Sequence, residues 1–492
     1  MPSGTSGDVI GAIAQSLKIT LAIKVANFLI NVLVVRFSSM PDLGKIHVNL
    51  QLLVSACLFV LKEGFRKAAL RDINAENGFR VITLGLLVTI CLVVPVAFLA
   101  YSYVTGERAL LLVPLAAAVV MEALAELPLF AHVATKGCLT TRNTCDTMSG
   151  LARSIALIAG VSFFGGDVPL AFAAAQLVAA AAVLIIASRG LEASHLCRRI
   201  ELPSAVSFEI IAMSVQKFFL AEGEKMLSVA LLSAEAIGQL ALVNNVGSLI
   251  LRLIFAPIED IASCAMAVQK SSAQMRMKTL QSIFLIQVSI ALMGVAFGPQ
   301  CARAALHVLY GAQWSASDVV VQLLQFYCIL LLVFATNGSL EAYYFAAADA
   351  SRVRSSLACQ WFSFAAFVAV SYVCLPAYGP LAILLGNAVS MLLRSAWCLA
   401  IFDSVTDPIH PQLKHVTLRI AAGAAASRLA VFLLPQHLFP AASPMRASLT
   451  QCAVVGGVAL LTLLSVRRPF AAALSNVKST PDSRARAEAA MG

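Results

Sequence analysis

The sequence predicts an all-α polytopic membrane protein with about fourteen transmembrane helices. Composition, long apolar segments and the distribution of positive charge all favour this fold class. Of the 492 residues, 60% are hydrophobic and only 12% are charged, and the mean hydropathy is +0.87. A chain of this composition does not belong among soluble globular proteins.

Apolar segments near the length that crosses a bilayer recur along the whole chain, with turns or charges between them. They lie at 10–37, 44–61, 80–104, 109–134, 148–165, 168–188, 207–232, 236–267, 279–300, 316–347, 356–375, 380–402, 415–434 and 448–466. We therefore predict about fourteen spans, each of which must satisfy its backbone polar groups as a helix.

Positive charge tests this map independently. The predicted loops after even-numbered spans, counted together with the adjoining span ends, contain seventeen Lys and Arg residues, whereas those after odd-numbered spans contain five. The positive-inside rule then predicts that the even-numbered loops and both termini are cytosolic. It also accounts for the net charge of +10 without nucleic acid as a partner.

The predicted cytoplasmic linker at 189–206 divides the first twelve spans into two sets of six. We expect an N-terminal six-helix bundle at 1–188 and a C-terminal six-helix bundle at 207–402, around a central cavity. Two additional transmembrane helices at 403–469 and a disordered cytosolic tail at 470–492 complete the predicted layout.

The chain shows no motif for catalysis, metal binding or nucleotide hydrolysis. Its twelve cysteines include no CxxC pair, its seven histidines include no HExxH, and no Gly-x4-Gly-Lys-Ser/Thr loop occurs. We predict no catalytic residue, cofactor or metal. The N-terminus lacks the basic-then-apolar order of a signal peptide, so residue 1 onward is expected in the mature protein.

Polar side chains recur on single faces of the predicted spans, where a hydrated cavity or a functional site is the usual reason for them. The first span carries Lys24, Asn27 and Asn31 on one face, with Arg36 at its far end. Further candidates in later spans are Glu122, Glu126, Glu222, Glu224, Lys225, Asn245, Arg252, Glu259 and Glu341. The alternative is that these side chains form hydrogen bonds and ion pairs that hold the helices together.

Arg252 lies near the middle of its predicted span. A guanidinium at that depth cannot easily reach either membrane surface, so it must meet a carboxylate, a hydrated cavity or a phosphate. Asn245, Arg252 and Glu259 follow at steps of seven, which predicts one helical face. We expect a carboxylate partner for Arg252 to come from another span, with the candidates being Glu122, Glu126 and Glu341.

Residues 44–71 combine an apolar run with a basic amphipathic end. Glu63 lies three and four residues before Arg66 and Lys67, so it can pair with either on a helix. This pattern is typical of a topology signal at the cytoplasmic membrane surface. Contact of Arg66 with a substrate or a moving gate is the other interpretation.

Several strings resemble the signatures of the Rft1 family of endoplasmic-reticulum membrane proteins. They are LQLLVS at 50–55, KEGFRKA at 62–68, the acidic pair Glu122 and Glu126 before Pro128, EGEK at 222–225 and NNVGSLILRLIFAPIE at 244–259. Departures from the family pattern are Asn49 for a frequent Arg, Lys62 and Lys67 for arginines, and Ala221 for a Thr. Positive charge is lost only at Asn49, where one phosphate contact is in doubt.

The resemblance implies the fourteen-span architecture of the multidrug/oligosaccharidyl-lipid/polysaccharide exporters. It also implies transfer of Man5GlcNAc2-pyrophosphoryl-dolichol from the cytosolic to the lumenal leaflet, for N-glycosylation. The missing ATP-binding motif predicts that this movement does not use ATP. The expected substrate-binding residues are Lys24, Asn27, Asn31, Arg36, Arg66, Asn245 and Arg252. The expected gating or ion-pair residues are Glu63, Glu122, Glu126, Glu222, Glu224, Lys225, Glu259 and Glu341. The expected partners are this dolichyl-linked substrate and membrane lipids, with no nucleotide, and we expect a monomer.

Two other functions are compatible with the sequence. A membrane factor that binds or organises the lipid-linked oligosaccharide pathway would need the same polar residues, because a cavity shows binding and not turnover. An ion-coupled exporter of small cations would use Glu122 and Glu126, but the basic faces disfavour cations.

Overall fold

The computed structural model describes most of the chain. The described ranges are 25–36, 38–44, 50–66, 69, 75–103, 111–136, 139–164, 167–188, 205–259, 266, 273–347, 350–401, 410–433, 450 and 452–465. Within these ranges the secondary structure is helical, with short turns and no β-strand. The all-α prediction is confirmed for this part of the chain.

Nine helices precede residue 232 in the described ranges. They are α1 (Val25–Arg36), α2 (Met40–Gly44), α3 (Gln51–Phe59), α4 (Ala75–Tyr103), α5 (Leu112–Leu124), α6 (Glu126–Lys136), α7 (Leu139–Phe163), α8 (Val168–Ser188) and α9 (Ala205–Leu231). Helices α5 and α6 form one kinked span. Pro128 has no N–H to donate to the Leu124 carbonyl, so the helix breaks at Ala125.

Eight further helices follow in the described ranges. They are α10 (Ala234–Ile250), α11 (Ala273–Tyr310), α12 (Ala312–Ser315), α13 (Asp318–Ala347), α14 (Ala350–Tyr378), α15 (Leu381–Ile401), α16 (His410–Leu433) and α17 (Cys452–Ser465). Helix α11 contains Pro299 in its interior. The missing N–H of this proline allows the helix to bend there.

Eight helices of the described part are long and apolar enough to cross a membrane. Four shorter apolar helices lie at Val25–Arg36, Gln51–Lys62, Met148–Phe163 and Cys452–Ser465. Each of the fourteen predicted spans overlaps a described helix. The polytopic helical fold is thus confirmed, whereas crossing of the membrane by all fourteen stays a prediction.

Two helices end in π-helical segments. Helix α3 continues as a π segment at Val60–Phe65, which contains Gly64, and α10 continues as one at Leu251–Phe255. The second segment lies just before Pro257, which cannot donate to the Leu253 carbonyl. Because a π turn holds an extra residue, it shifts every later side chain to a different face.

The chain packs as two compact units with a boundary between Ala241 and Leu242, inside α10. The core of the N-terminal unit (Ser16–Ala241) includes Leu61, Ile82, Val119 and Phe172, from α4, α5, α8 and the π segment after α3. The predicted linker at 189–206 lies almost entirely outside the described residues, so the predicted domain limits stay predictions.

In the C-terminal unit, which begins at Leu242, helix α11 packs on two sides. One core cluster joins its Leu280 and Ile283 to Tyr344 of α13. Another core cluster joins Leu285 and Ile286 of α11 to Val416 and Ile420 of α16. Helix α11 is therefore the packing centre of the described part of this unit.

Candidate functional site

The first polar cluster lies in the N-terminal unit, where the π segment after α3 faces the α5–α6 kink. Lys62 pairs with Glu122, and the Arg66 Nη1 atom lies 3.1 Å from the Glu126 Oε1 atom. The Arg66 and Glu126 side chains are only 9% and 2% exposed. Since Glu122 and Glu126 are one turn apart, they meet two cations that are also one turn apart.

Two other helices complete this cluster. The Gln176 Nε2 atom of α8 donates to the Glu122 Oε2 atom at 3.3 Å. Arg153 of α7 interacts electrostatically with Glu122. Two cations therefore pair with two carboxylates, and a third cation lies near Glu122. We call Lys62, Arg66, Glu122, Glu126, Arg153 and Gln176 the N-terminal cluster.

The second polar cluster lies in the C-terminal unit, between the end of α10 and helices α11 and α13. The Gln287 Nε2 atom donates to the Glu259 Oε1 atom at 3.0 Å, and Ser339 donates to the other end of the Gln287 amide. A Cβ atom at Gly338 would collide with the Glu259 carboxylate, so the glycine leaves the space that this carboxylate occupies. We call Glu259, Gln287, Gly338 and Ser339 the C-terminal cluster.

A separate ion pair connects α13 with α15. The Arg394 Nη1 atom lies 3.3 Å from the Glu341 Oε1 atom, and Ser395 donates to Asn337 at 3.4 Å. Glu341 in the tenth predicted span thus contacts the twelfth, as Glu122 in the fourth contacts Gln176 in the sixth. Each half of the chain therefore has a carboxylate that joins corresponding helices.

Arg252 has a different environment from the clusters. Its side chain is exposed, and its Nη2 atom donates to the Asn245 carbonyl at 2.9 Å and to the Asn245 Oδ1 atom at 3.2 Å. Gly247 lets the Tyr327 ring pack directly against α10. The guanidinium is consequently oriented by its own helix and keeps further N–H donors.

The structure differs from the sequence prediction for Arg252 and Glu259. The described hydrogen bonds of Arg252 go to its own helix and not to a carboxylate of another span. The candidate partners Glu122, Glu126 and Glu341 are paired with Lys62, Arg66 and Arg394. Glu259 turns toward α11, since the π segment at Leu251–Phe255 interrupts the spacing of seven residues.

The remaining predicted site residues are not brought together by the described structure. Lys24 and the Glu63 side chain lie outside the described residues. Asn27 and Asn31 are half-buried on α1, and Arg36 at its end is exposed. On α9, Glu222 pairs with Lys225 at 2.8 Å, one turn away, and Glu224 is half-buried beside them.

Lys62, Gly338 and Ser339 were not among the predicted site residues, and three further cluster residues were not singled out at all: Arg153, Gln176 and Gln287. Each is a polar residue in a long helix, and Gln176 is the only amide in α8. An isolated polar residue in an apolar span was the signal available. Its partner could not be read from the sequence, because it belongs to another helix.

Comparison with known proteins places the chain in a family. The family model described as Rft protein matches residues 11–477. The chain is 24% identical over 453 residues to the Drosophila melanogaster protein named Man(5)GlcNAc(2)-PP-dolichol translocation protein RFT1, which covers 75% of this chain and 80% of that protein. A Mus musculus protein of the same name is 24% identical over 447 residues, or 79% and 81% of the two chains. The match to the Candida glabrata protein of that name is 27% identical and covers 43% of this chain, but only 40% of that protein.

Solved structures agree in fold. Lipid II flippase MurJ in an inward closed conformation has a TM-score of 0.68 at 10% identity, over 92% of this chain and 99% of that one. An inward-facing multidrug resistance MATE family transporter of the MOP superfamily has a TM-score of 0.54 at 15% identity, over 78% and 96%. At such identities these likenesses establish the fold alone. The family model spans nearly the whole chain, and the chain belongs to the Rft protein family.

Proposed function

We propose that this protein moves Man5GlcNAc2-pyrophosphoryl-dolichol from the cytosolic to the lumenal leaflet of the endoplasmic-reticulum membrane. The observation that carries this proposal is Arg252, an exposed guanidinium within the apolar helical stretch Ala234–Glu259. The names of the Drosophila and mouse relatives support the substrate class. The MurJ-like fold is compatible with it.

The polar headgroup is the part of this lipid that opposes its movement across the membrane. A pyrophosphate and seven sugars cannot enter hydrocarbon unaided, because stripping water from charges and hydroxyl groups without replacement costs several kcal/mol for each group. A guanidinium presents planar donors that match phosphate oxygens. Arg252, pre-oriented by Asn245, would supply such donors in place of water.

The topology belongs to the same proposal. We infer fourteen spans from the apolar segments, and two six-helix bundles plus two C-terminal helices from the linker at 189–206. The charge bias of the loops predicts that both termini are cytosolic. Movement would be facilitated and independent of ATP, with net direction set by consumption of the lipid in the lumen. Lys24, Asn27, Asn31 and Arg36 of the first predicted span would meet the headgroup.

A second candidate is a non-transporting factor that binds the same lipid. The internal pairing of the N-terminal cluster favours it, since Glu122, Glu126, Lys62 and Arg66 satisfy one another. Charges that satisfy one another in this way form a fixed framework, as a protein that only binds the lipid would need. Transport and binding must therefore be measured separately.

The test is translocation by the purified protein in lipid vesicles containing labelled Man5GlcNAc2-pyrophosphoryl-dolichol. We expect faster access of an external glycan-cleaving reagent to the inner-leaflet lipid than in empty vesicles. Arg252→Ala should slow this access about tenfold or more, as expected for a lost charge-assisted hydrogen bond. Arg428→Ala, at an exposed arginine of α16, is the matched control and should be as active as the wild type.

The outcomes separate the two candidates. Access no faster than in empty vesicles, with retained binding of the lipid to the protein, would reject transport and support the factor. A fully active Arg252→Ala protein would reject the proposed role of Arg252. Because Arg252 is exposed and its described hydrogen bonds stay within α10, its replacement should leave the folded yield unchanged.

A further inference from the structure

A polar cavity of about 600 Å³ lies in the C-terminal unit, between the end of α11 and the start of α13. Its walls are formed by Pro299–Ala304 on α11 and by Asp318–Gln325 on α13. None of the predicted site residues lines it. Its volume is within the usual range for small-ligand sites, about 300–1,000 Å³.

The two walls are joined by specific contacts at both ends of the cavity. At one end the Gln325 Nε2 atom donates to the Pro299 carbonyl at 3.1 Å. At the other, Arg303 donates to the Asp318 Oδ1 atom at 2.5 Å and to the Ser315 carbonyl at 2.9 Å. Gly311, at a φ of 98°, forms the tight turn that reverses the chain between them.

The lining combines amides with a neutralised ion pair. Three carboxamides, those of Gln300, Gln322 and Gln325, each carry donors and an acceptor on one plane. Arg303 and Asp318 cancel in charge, so the cavity does not favour an anion or a cation. Ala304 and Val321 add apolar surface.

Some of this hydrogen-bonding capacity is left for a ligand. Gln300 is engaged with Ser427 and the Ala296 carbonyl, and one amide donor of Gln325 with Pro299. Gln322 is exposed, and no described hydrogen bond involves its amide or the Gln325 Oε1 atom. Such groups match a ligand whose hydroxyls both donate and accept and whose C–H faces are apolar.

We propose that this cavity is a binding site for the neutral sugars of an oligosaccharide, separate from Arg252. The choice of mannose as the sugar rests on the proposed function. The predicted topology assigns this end of the ninth and tenth spans to the lumen. The site would therefore hold the glycan on the side to which it is delivered, while pyrophosphate interacts elsewhere.

The experiment measures binding of free mannotriose to the full-length protein in lipid nanodiscs, by saturation-transfer difference NMR over the millimolar range. We expect saturable binding by the wild type and an affinity about tenfold weaker for Gln322→Ala/Gln325→Leu, which removes two hydrogen-bonding side chains. Gln281→Leu, at a half-buried glutamine earlier on α11, is the matched control and should bind normally. Gln322→Ala alone, at an exposed position, should weaken binding without affecting folding.

Inorganic pyrophosphate serves as the charged probe and should not displace mannotriose. No saturable binding by the wild type, equal affinity of wild type and both Gln322 variants, or displacement by pyrophosphate would each overturn the proposal. A different result would reject the proposed function and leave this site standing. In that case the protein would fail to translocate lipid in vesicles, whereas the wild type would bind mannotriose and the Gln322 variants would bind it more weakly.

Discussion

At the scale of single residues, the structure separates two kinds of cation that look alike in the sequence. Arg66 is buried against Glu126, whereas Arg252 is exposed and bound to its own helix. A buried ion pair has little net effect on stability when both partners are present, but removal of one partner leaves an unpaired buried charge. Arg66 therefore has an identified structural partner, and its contact with substrate stays a prediction.

A double-mutant cycle tests this distinction. Arg66→Met should lower the free energy of unfolding by about 3 kcal/mol, because the buried Glu126 carboxylate would lose the Arg66 guanidinium. Glu126→Met should have a similar effect, and the double variant should recover most of the loss, since both charges are gone. Thermal unfolding of the detergent-solubilised protein is the measurement, with Lys217→Met at an exposed lysine of α9 as the control. A stable Arg66→Met protein that fails to support N-glycosylation would instead favour substrate contact.

At the scale of helices, glycines and π segments determine which polar side chains meet. In the N-terminal unit, Gly238 of α10 packs against the Met40 carbonyl of α2, and Gly44 packs against the Ala234 carbonyl. Backbones approach this closely in membrane proteins where small residues line the contact. The π segments then rotate Lys62 and Glu259 onto faces that an unbroken α-helix would not give them.

Gly238→Ala should destabilise the protein. A Cβ atom at this position would overlap the Met40 carbonyl oxygen, so the backbone must shift, and overpacking of this kind costs about 1–3 kcal/mol. Gly456→Ala on α17 is the matched control, because a Cβ atom there meets nothing within 4 Å and alanine favours the helix. Thermal unfolding should show a lower midpoint temperature for Gly238→Ala than for the wild type. The midpoint of the control should not be lowered. Equal midpoints would mean that α2 and α10 are not in close contact in the membrane.

At the scale of the whole molecule, charge distribution and chain packing give complementary information. The seventeen-to-five bias of Lys and Arg predicts which loops face the cytosol. Chain packing divides the described part of the molecule into two units, with the boundary inside α10. The contact of Glu122 with Gln176 and of Glu341 with Arg394 supports related arrangements within the two halves.

Cysteine labelling of intact microsomes tests the topology. A probe cysteine introduced in place of Arg198 should react with a membrane-impermeant reagent, because its loop is predicted to be cytosolic. A cysteine in place of Arg446 should react only after the membrane is permeabilised. Both are introduced into a variant without the twelve native cysteines, which serves alone as the blank. Reaction at Arg446 but not at Arg198 would invert the entire map.

The sequence by itself determined the helical membrane fold, the family resemblance and the candidate polar residues. These depend on composition, local periodicity and short sequence motifs, all of which can be recognised in the linear order of the residues. Glu122 and Glu126, for example, are recognisable as an acidic pair one turn apart within an apolar span.

Only the tertiary structure decided which partners those residues have. Gln176 and Arg153 approach Glu122 from helices distant in sequence, and Gln287 reaches Glu259 because a π segment turns that carboxylate toward α11. The cavity beside Gln322 and Gln325 likewise exists only where α11 and α13 separate. Such features depend on how one helix packs against another, and an apolar helix of given sequence is compatible with many neighbours until close packing selects one arrangement.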